Sequence, residues 1–272
     1  MKLSKVHEES SCPVHADLKR IAPYTHPSVY KHLLYISSQY NYMFCVTPKV
    51  GLTTLKQTFR RLEMGNPSLS DGQADVNQSR MSFPLLFPTQ IPDFAKFLHR
   101  DDIKRFCFVR NPYTRTLSAY IQRIERNKVQ RVTDHMKQQL GRLADEDYIP
   151  NFEAFIDAIE AQPISIMNEH WMPQYYQVCP DQIPYHFIGR FESFETDLMD
   201  IGSQIHPDFS KYYQVDSPHR TGANSKIAKY YTDDLAKRVY TLFRKDFETF
   251  GYSEDISRCD EVVDASKLPT AY

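Results

Sequence analysis

The chain has 272 residues, 41% of them hydrophobic, and a formal net charge of −1 from 33 Lys and Arg against 34 Asp and Glu. That is enough apolar material for one large α/β domain or two small ones, and the 25% charged fraction points to neither a disordered nor a membrane class. The near-neutral balance excludes a general nucleic-acid binder, which needs a clustered positive excess, so an anion site in this chain must be local.

No run of about 18 apolar residues occurs, and the opening MKLSKVHEESSCPVHADLKR lacks the apolar stretch of a signal peptide or membrane anchor. The expectation is a cytoplasmic protein without a membrane span, one domain over 1–272 with 1–25 loosely ordered. The cysteines Cys12, Cys45, Cys107, Cys179 and Cys259 stand far apart with no ligand-like spacing, which argues against a metal site. Cys45 and Cys107 lie inside apolar runs and read as small core hydrophobes. The 18 tyrosines can line a polar, sugar-binding cleft or sit at the edge of the core.

Tyr42 to Val46 is a continuous apolar run, the pattern of a strand buried on both faces. Beyond Pro48 and Gly51 the apolar positions become Leu52, Leu55, Phe59 and Leu62, one face of a helix. Thr47 to Thr53 is therefore a strand-to-helix turn. The Gly-, Ser- and Asn-rich stretch 65–78 reads as a surface loop. Phe106 to Val109 repeats the buried-strand pattern, and after Asn111 and Pro112 a helix is expected to carry Leu117, Tyr120, Ile121 and Ile124.

Asn151 is placed to cap a helix bearing Phe152, Phe155, Ile156 and Ile159, and Tyr185 to Ile188 predicts a third short strand. Ser193 is expected to open a helix that Gly202 ends. A last long helix starts near Thr232, carries Leu235, Val239, Leu242, Phe243 and Phe247, and stops at Gly251. Strands alternating with helices predict an α/β, P-loop-like three-layer fold whose central parallel sheet is flanked by helices. Ligands in such sheets bind at the carboxyl ends of the strands.

Two strand ends carry candidate chemistry. In the turn Thr47-Pro48-Lys49-Val50-Gly51-Leu52-Thr53-Thr54, Gly51 lets backbone approach an anion closely while helix N–H groups and the helix dipole attract it. Lys49 and the Thr53 and Thr54 hydroxyls add donors. The lysine precedes the glycine, so this is not the G-x-x-x-x-G-K-[ST] loop of magnesium-dependent ATP binding. At the second strand end, Arg110 offers a planar fork and Ser118, two turns into the next helix, a further donor; both suit a phosphate. Read alone, the first turn could equally be an ordinary strand terminus, and an Arg after a strand is more often a surface ion-pair partner.

The run Phe108 to Tyr120 resembles the FVRxPxxRxxSAY motif of the carbohydrate sulfotransferases, the group with the chondroitin and dermatan enzymes and their bacterial relatives, and Pro48 to Thr54 resembles that family's PKVGxTT loop. Glu169 to Gln174 and Phe187 to Glu192 are similar to its HWxPQ and FIGKFE segments. Ser217 to Gly222 is similar to a late loop closing over the nucleotide. The resemblance implies that Pro48, Lys49, Val50, Gly51, Leu52, Thr53 and Thr54 hold the 5′-phosphosulfate of 3′-phosphoadenosine-5′-phosphosulfate, that Arg110 and Ser118 hold its 3′-phosphate, and that Arg220, Thr221 and Gly222 cover it. The implied reaction moves a sulfuryl group to a hydroxyl, on a carbohydrate or another acceptor, leaving adenosine 3′,5′-bisphosphate. In departure from the animal enzymes, no anchor is seen and Cys179 has no nearby partner cysteine.

Sulfuryl transfer relies on positioning and charge stabilisation, so Lys49 is the expected catalytic cation. His170 is the first candidate base, Glu169 the second and His99 the third. The basic stretch Arg123 to Arg142 reads as a solvated helix face or a surface for an acidic polysaccharide. Two rival readings are a P-loop nucleotide kinase or hydrolase, and a binding module that keeps the nucleotide pocket without transfer.

Overall fold

A computed structural model of the chain describes residues 13–24, 33–69, 84–126, 130–145, 147–214 and 222–262. Its strands are β1 (Leu34–Ser37), β2 (Tyr42–Val46), β3 (Lys104–Val109) and β4 (Phe187–Arg190). Its helices are α1 (Pro13–Ile21), α2 (Leu52–Glu63), α3 (Phe94–Phe97), α4 (Pro112–Tyr120), α5 (Gln130–Gln139), α6 (Phe152–Glu160), α7 (Gln174–Val178), α8 (Phe194–Ile205), α9 (Ile227–Tyr230), α10 (Asp233–Leu242) and α11 (Arg244–Phe250). A turn of π-helix, Ile121–Arg126, continues α4.

The sheet runs β1-β2-β3-β4. β2, β3 and β4 are parallel, with Cys45 opposite Cys107 and Cys107 opposite Ile188. β1 joins the outer side of β2 antiparallel, Leu34 facing Cys45, so the sheet is mostly rather than wholly parallel. All five β2 residues are buried because both faces are covered, as the unbroken apolar run requires. One face packs Phe44, Phe106 and Phe108 against Leu55, Phe59 and Leu62 of α2 and Leu198 and Ile201 of α8. The other packs Cys45, Cys107 and Val109 against Leu117, Phe155, Ile159, Leu235, Val239 and Phe247. This is the expected α/β arrangement, a sheet between two helical layers. Pro13–Ile21, within the stretch expected to be loosely ordered, form α1, with Leu18 and Ile21 buried.

Three boundaries differ from expectation. The third parallel strand is Phe187–Arg190, not Tyr185 to Ile188. The Tyr185 N–H donates locally to the Ile183 carbonyl at 2.9 Å, and the ladder opens only where the His186 N–H reaches the Arg105 carbonyl at 2.7 Å. Gly202 does not end its helix, since α8 continues to Ile205. A Cβ at Gly202 would lie 2.0 Å from the Phe209 ring, so the absent side chain serves close packing rather than a left-handed cap. The last long helix is two, α10 and α11, broken at buried Phe243. Its two ends are as expected, the Thr232 hydroxyl accepting from the Leu235 N–H at 3.2 Å and Gly251 capping with φ 70°.

Candidate active site

The turn after β2 crosses from a buried strand to a helix in few residues, and its backbone bears the cost. Lys49 has φ 77° and Gly51 φ 84°, both left-handed. Such a conformation costs a residue with a side chain about 1–2 kcal/mol, so the surroundings must enforce it at Lys49. At Gly51 a Cβ would also meet the Phe194 ring at 2.6 Å. Gly51 is the N-cap of α2 and supplies no side-chain cap, and no acidic residue occupies the first turn. The first intrahelical bond runs from the Leu55 N–H to the Gly51 carbonyl, so the Leu52, Thr53 and Thr54 N–H groups precede the ladder and form the positive end of the helix dipole.

The carboxyl end of β3 lies beside this turn because β2 and β3 are parallel neighbours. Arg110 is buried, and its Nη1 donates to the Lys49 carbonyl at 3.2 Å, joining the two strand ends directly. Its Nε donates to the Thr114 hydroxyl at 2.9 Å and its Nη2 to Asn224 Oδ1 at 2.7 Å, while the guanidinium lies 4.1 Å from the Phe191 ring centroid. Arg115, one turn into α4, sends Nε to the Pro48 carbonyl at 3.2 Å, Nη1 to that of Met172 at 2.9 Å and Nη2 to that of Glu169 at 3.1 Å. One guanidinium thus holds the strained turn to the segment bearing His170.

Gln174 completes the scaffold. Its Oε1 accepts from the Arg110 N–H at 2.9 Å and its Nε2 donates to the Arg110 carbonyl at 2.8 Å, extending the β3 edge with a side-chain amide. Buried Asp246, delivered by the break at Phe243, accepts the Gln174 and Tyr175 N–H groups, each at 2.8 Å.

Beyond α4, the π-helical turn directs Gln122 and Arg123 into the same region. Lys49 Nζ donates to Gln122 Oε1, and Arg123 Nη2 contacts His170 Nε2. His170 Nδ1 lies 2.7 Å from Asn168 Oδ1, an acceptor, which places the proton on Nδ1 and the lone pair on Nε2. Burial depresses the Lys49 ammonium to about 6, with further lowering from Arg123, Arg110 and Arg115. Burial first, and then Arg123, Lys49 and Arg115, hold His170 well below its ordinary value. Burial lowers Arg110 and Arg115 to about 10. Glu192 is a countercharge to Arg110, accepting the Asn111 N–H at 2.9 Å and the Tyr252 hydroxyl at 3.1 Å. The Glu169 carboxylate lies 3.5 Å from His170 Nδ1.

Of the residues singled out from the sequence, Lys49, Gly51, Arg110 and His170 come together here. Pro48 contributes its carbonyl to Arg115, and Val50 is buried under the turn. Leu52, Thr53 and Thr54 form the first turn of α2, and Ser118 is buried two turns into α4. Arg220 and Thr221 lie outside the described residues, whereas Gly222 is described, with φ 64°. His99 is corrected as a base candidate, because it is exposed just before the amino end of β3, roughly 20 Å of strand from the site. The basic stretch is not one solvated face, since Lys137 is buried and donates to the Asp145 carbonyl at 2.7 Å and Arg123 turns inward. Sequence reasoning missed Gln122, Asn168 and Asn224, placed Arg123 only in the basic stretch, and quoted Gln174 and Arg115 without roles. The only available signal was that Gln122 and Arg123 directly follow the Arg110 motif.

Residues 32–253 match the model of the Sulfotransferase family, and the chain belongs to that family of transferases. It is 25% identical over 259 residues to carbohydrate sulfotransferase 10 of Xenopus laevis, covering 85% of this chain and 71% of that protein. To carbohydrate sulfotransferase 12 of Xenopus laevis it is 26% identical over 256 residues, covering 81% and 60%. To carbohydrate sulfotransferase 14 of Danio rerio it is 25% identical over 253 residues, covering 85% and 65%. The chain thus spans between 60% and 71% of the length of these relatives. No solved structure matches it.

Proposed function

We propose that this chain transfers a sulfuryl group from 3′-phosphoadenosine-5′-phosphosulfate to a hydroxyl of a carbohydrate. The carrying observation is the gathering of four cations, Lys49, Arg110, Arg115 and Arg123, at the carboxyl ends of two adjacent parallel strands, where Lys49 is depressed to about 6 by burial and by the other three. Buried cations that disfavour one another's charge are stabilised by an anion, and the uncapped N-terminus of α2 adds donors for it. The acceptor class is supported by the names of the relatives.

The residues present fit this donor. Among the described residues, hydrogen bonds engage three of the five Arg110 N–H donors, leaving two for a phosphate. When bound, the donor supplies a sulfuryl group on an activated phosphate. Lys49 and the first turn of α2 stabilise the negative charge that gathers beside them as the S–O bond breaks. Arg115 keeps the Lys49 turn and the His170 segment in register, and positioning of this kind carries most of the catalysis in such loose transfers. His170, neutral and fixed by Asn168 with its Nε2 lone pair free of a proton, serves as the base for the acceptor hydroxyl.

The test is a transfer assay with radiolabelled sulfate donor against a panel of native and desulfated glycans. Label is expected on at least one glycan, with Lys49→Ala and Arg110→Ala reducing it by about a thousandfold or more. Magnesium-dependent ATP turnover in place of sulfation, or tight binding of adenosine 3′,5′-bisphosphate with no transfer to any acceptor, would overturn the proposal.

A further inference from the structure

We infer that Arg123 is a catalytic residue whose guanidinium grips the sulfuryl group of the donor from the side opposite the α2 N-terminus, leaving His170 Nε2 as it does so. The inference rests on the sulfotransferase reading and adds a residue to it.

Among the described residues, Arg123 Nε is buried without a hydrogen-bond partner. A buried, unpartnered guanidinium nitrogen is costly, because the donor has lost water and gained nothing. Its Nη2 contacts a neutral imidazole nitrogen, and the Glu169 carboxylate acts on the guanidinium through space, with no hydrogen bond to it among the described residues. A cation directed at a neutral ring while its Nε has no acceptor is a site completed by an anion.

The second observation is placement. Gln122 holds Lys49 Nζ and Arg123 holds His170 Nε2, so two consecutive residues of one turn reach the candidate leaving-group cation and the candidate base. In π-winding consecutive side chains diverge less than in an α-helix, which lets neighbours serve one site, and such turns recur at functional sites. An oxyanion between Lys49 and Arg123 supplies the missing acceptor for Nε. It also competes with His170 for Nη2, and this exchange uncovers the Nε2 lone pair when the donor is in place. Four groups face His170: Arg123, Lys49 and Arg115 as cations and Glu169 through its carboxylate.

The donor and the product nucleotide differ by the sulfuryl group, which makes the inference testable by binding alone. Calorimetric titration of wild type, Arg123→Gln and Arg123→Lys with each of 3′-phosphoadenosine-5′-phosphosulfate and adenosine 3′,5′-bisphosphate is the experiment. Arg123→Gln is expected to weaken donor binding by about ten- to a hundredfold while product binding stays within about threefold, and Arg123→Lys to recover part of the donor affinity. Retained product binding also reports that the variant is folded. Removing the Arg123 charge lets His170 take up a proton more readily, so the acidic limb of kcat/KM is expected to move to higher pH in Arg123→Gln. Equal weakening of both nucleotides, or an unchanged donor-to-product ratio, overturns the inference while leaving the sulfotransferase reading standing. Failure of the wild-type chain to bind either nucleotide removes that reading, and the Arg123 assignment with it.

Discussion

Lys49 makes a direct forecast about proton linkage. In the free protein its ammonium is depressed to about 6, first by burial and then by Arg123, Arg110 and Arg115. At pH 7.5 roughly 3% of the molecules then carry the charge, against nearly all for a lysine at its ordinary value. An anion seated in the turn favours the charged form and moves the group back toward its ordinary range, so the complex binds more protons than the free protein. Binding is therefore strengthened by acid. Between about pH 6.5 and 8.5 the logarithm of the affinity for adenosine 3′,5′-bisphosphate is expected to fall by about one unit per pH unit, with uptake of close to one proton per nucleotide. Calorimetry at pH 8 in two buffers of different ionisation enthalpy measures that uptake, and Lys49→Met is expected to abolish it. Affinity independent of pH, with no proton exchanged, would refute the reasoning.

The packing yields further forecasts. Gly51→Ala places a methyl group against Phe194 in a left-handed conformation, and is expected to cost about 2–4 kcal/mol in chemical unfolding and to weaken nucleotide binding. Gly202→Ala is expected to cost about 1–3 kcal/mol through its clash with Phe209, and combining it with Phe209→Leu should cost less than the sum of the two. Asp246→Ala leaves the Gln174 and Tyr175 N–H groups unpaired and removes a countercharge of buried Arg115, for about 3–5 kcal/mol in the same measurement. His170→Ala is expected to slow transfer about a hundredfold or more with product-nucleotide binding nearly unchanged; full turnover by this variant would strike His170 from the mechanism.

Local patterns declared themselves in the sequence because each is written into a few neighbouring residues. The unbroken apolar run of β2, the spacing of Leu55, Phe59 and Leu62, and the Asn151 cap, whose Oδ1 accepts the Ala154 N–H at 2.8 Å, all belong to this kind. So do the two strand-to-helix turns with Lys49 and Arg110, since a short connection leaves few ways to leave a sheet.

What tertiary structure decided are pairings between distant segments. β1 is four residues long, and its pairing with β2 and with Leu86 gives it a direction. Gly202 carries a plausible stop signal, yet the Phe209 ring that needs its bare backbone comes from beyond the helix. The break at Phe243 becomes intelligible once Asp246 is seen to meet Gln174, 72 positions earlier. Gln122 and Arg123 are the clearest case. As sequence, Arg123 opens a basic stretch that reads as a solvated face or a polysaccharide surface and Gln122 carries no signal of its own, and their partners Lys49 and His170 lie 73 and 47 positions away. Periodicity records which face of an element avoids water. It carries no record of which distant charge will share that face, because that is set by how the layers close over the sheet.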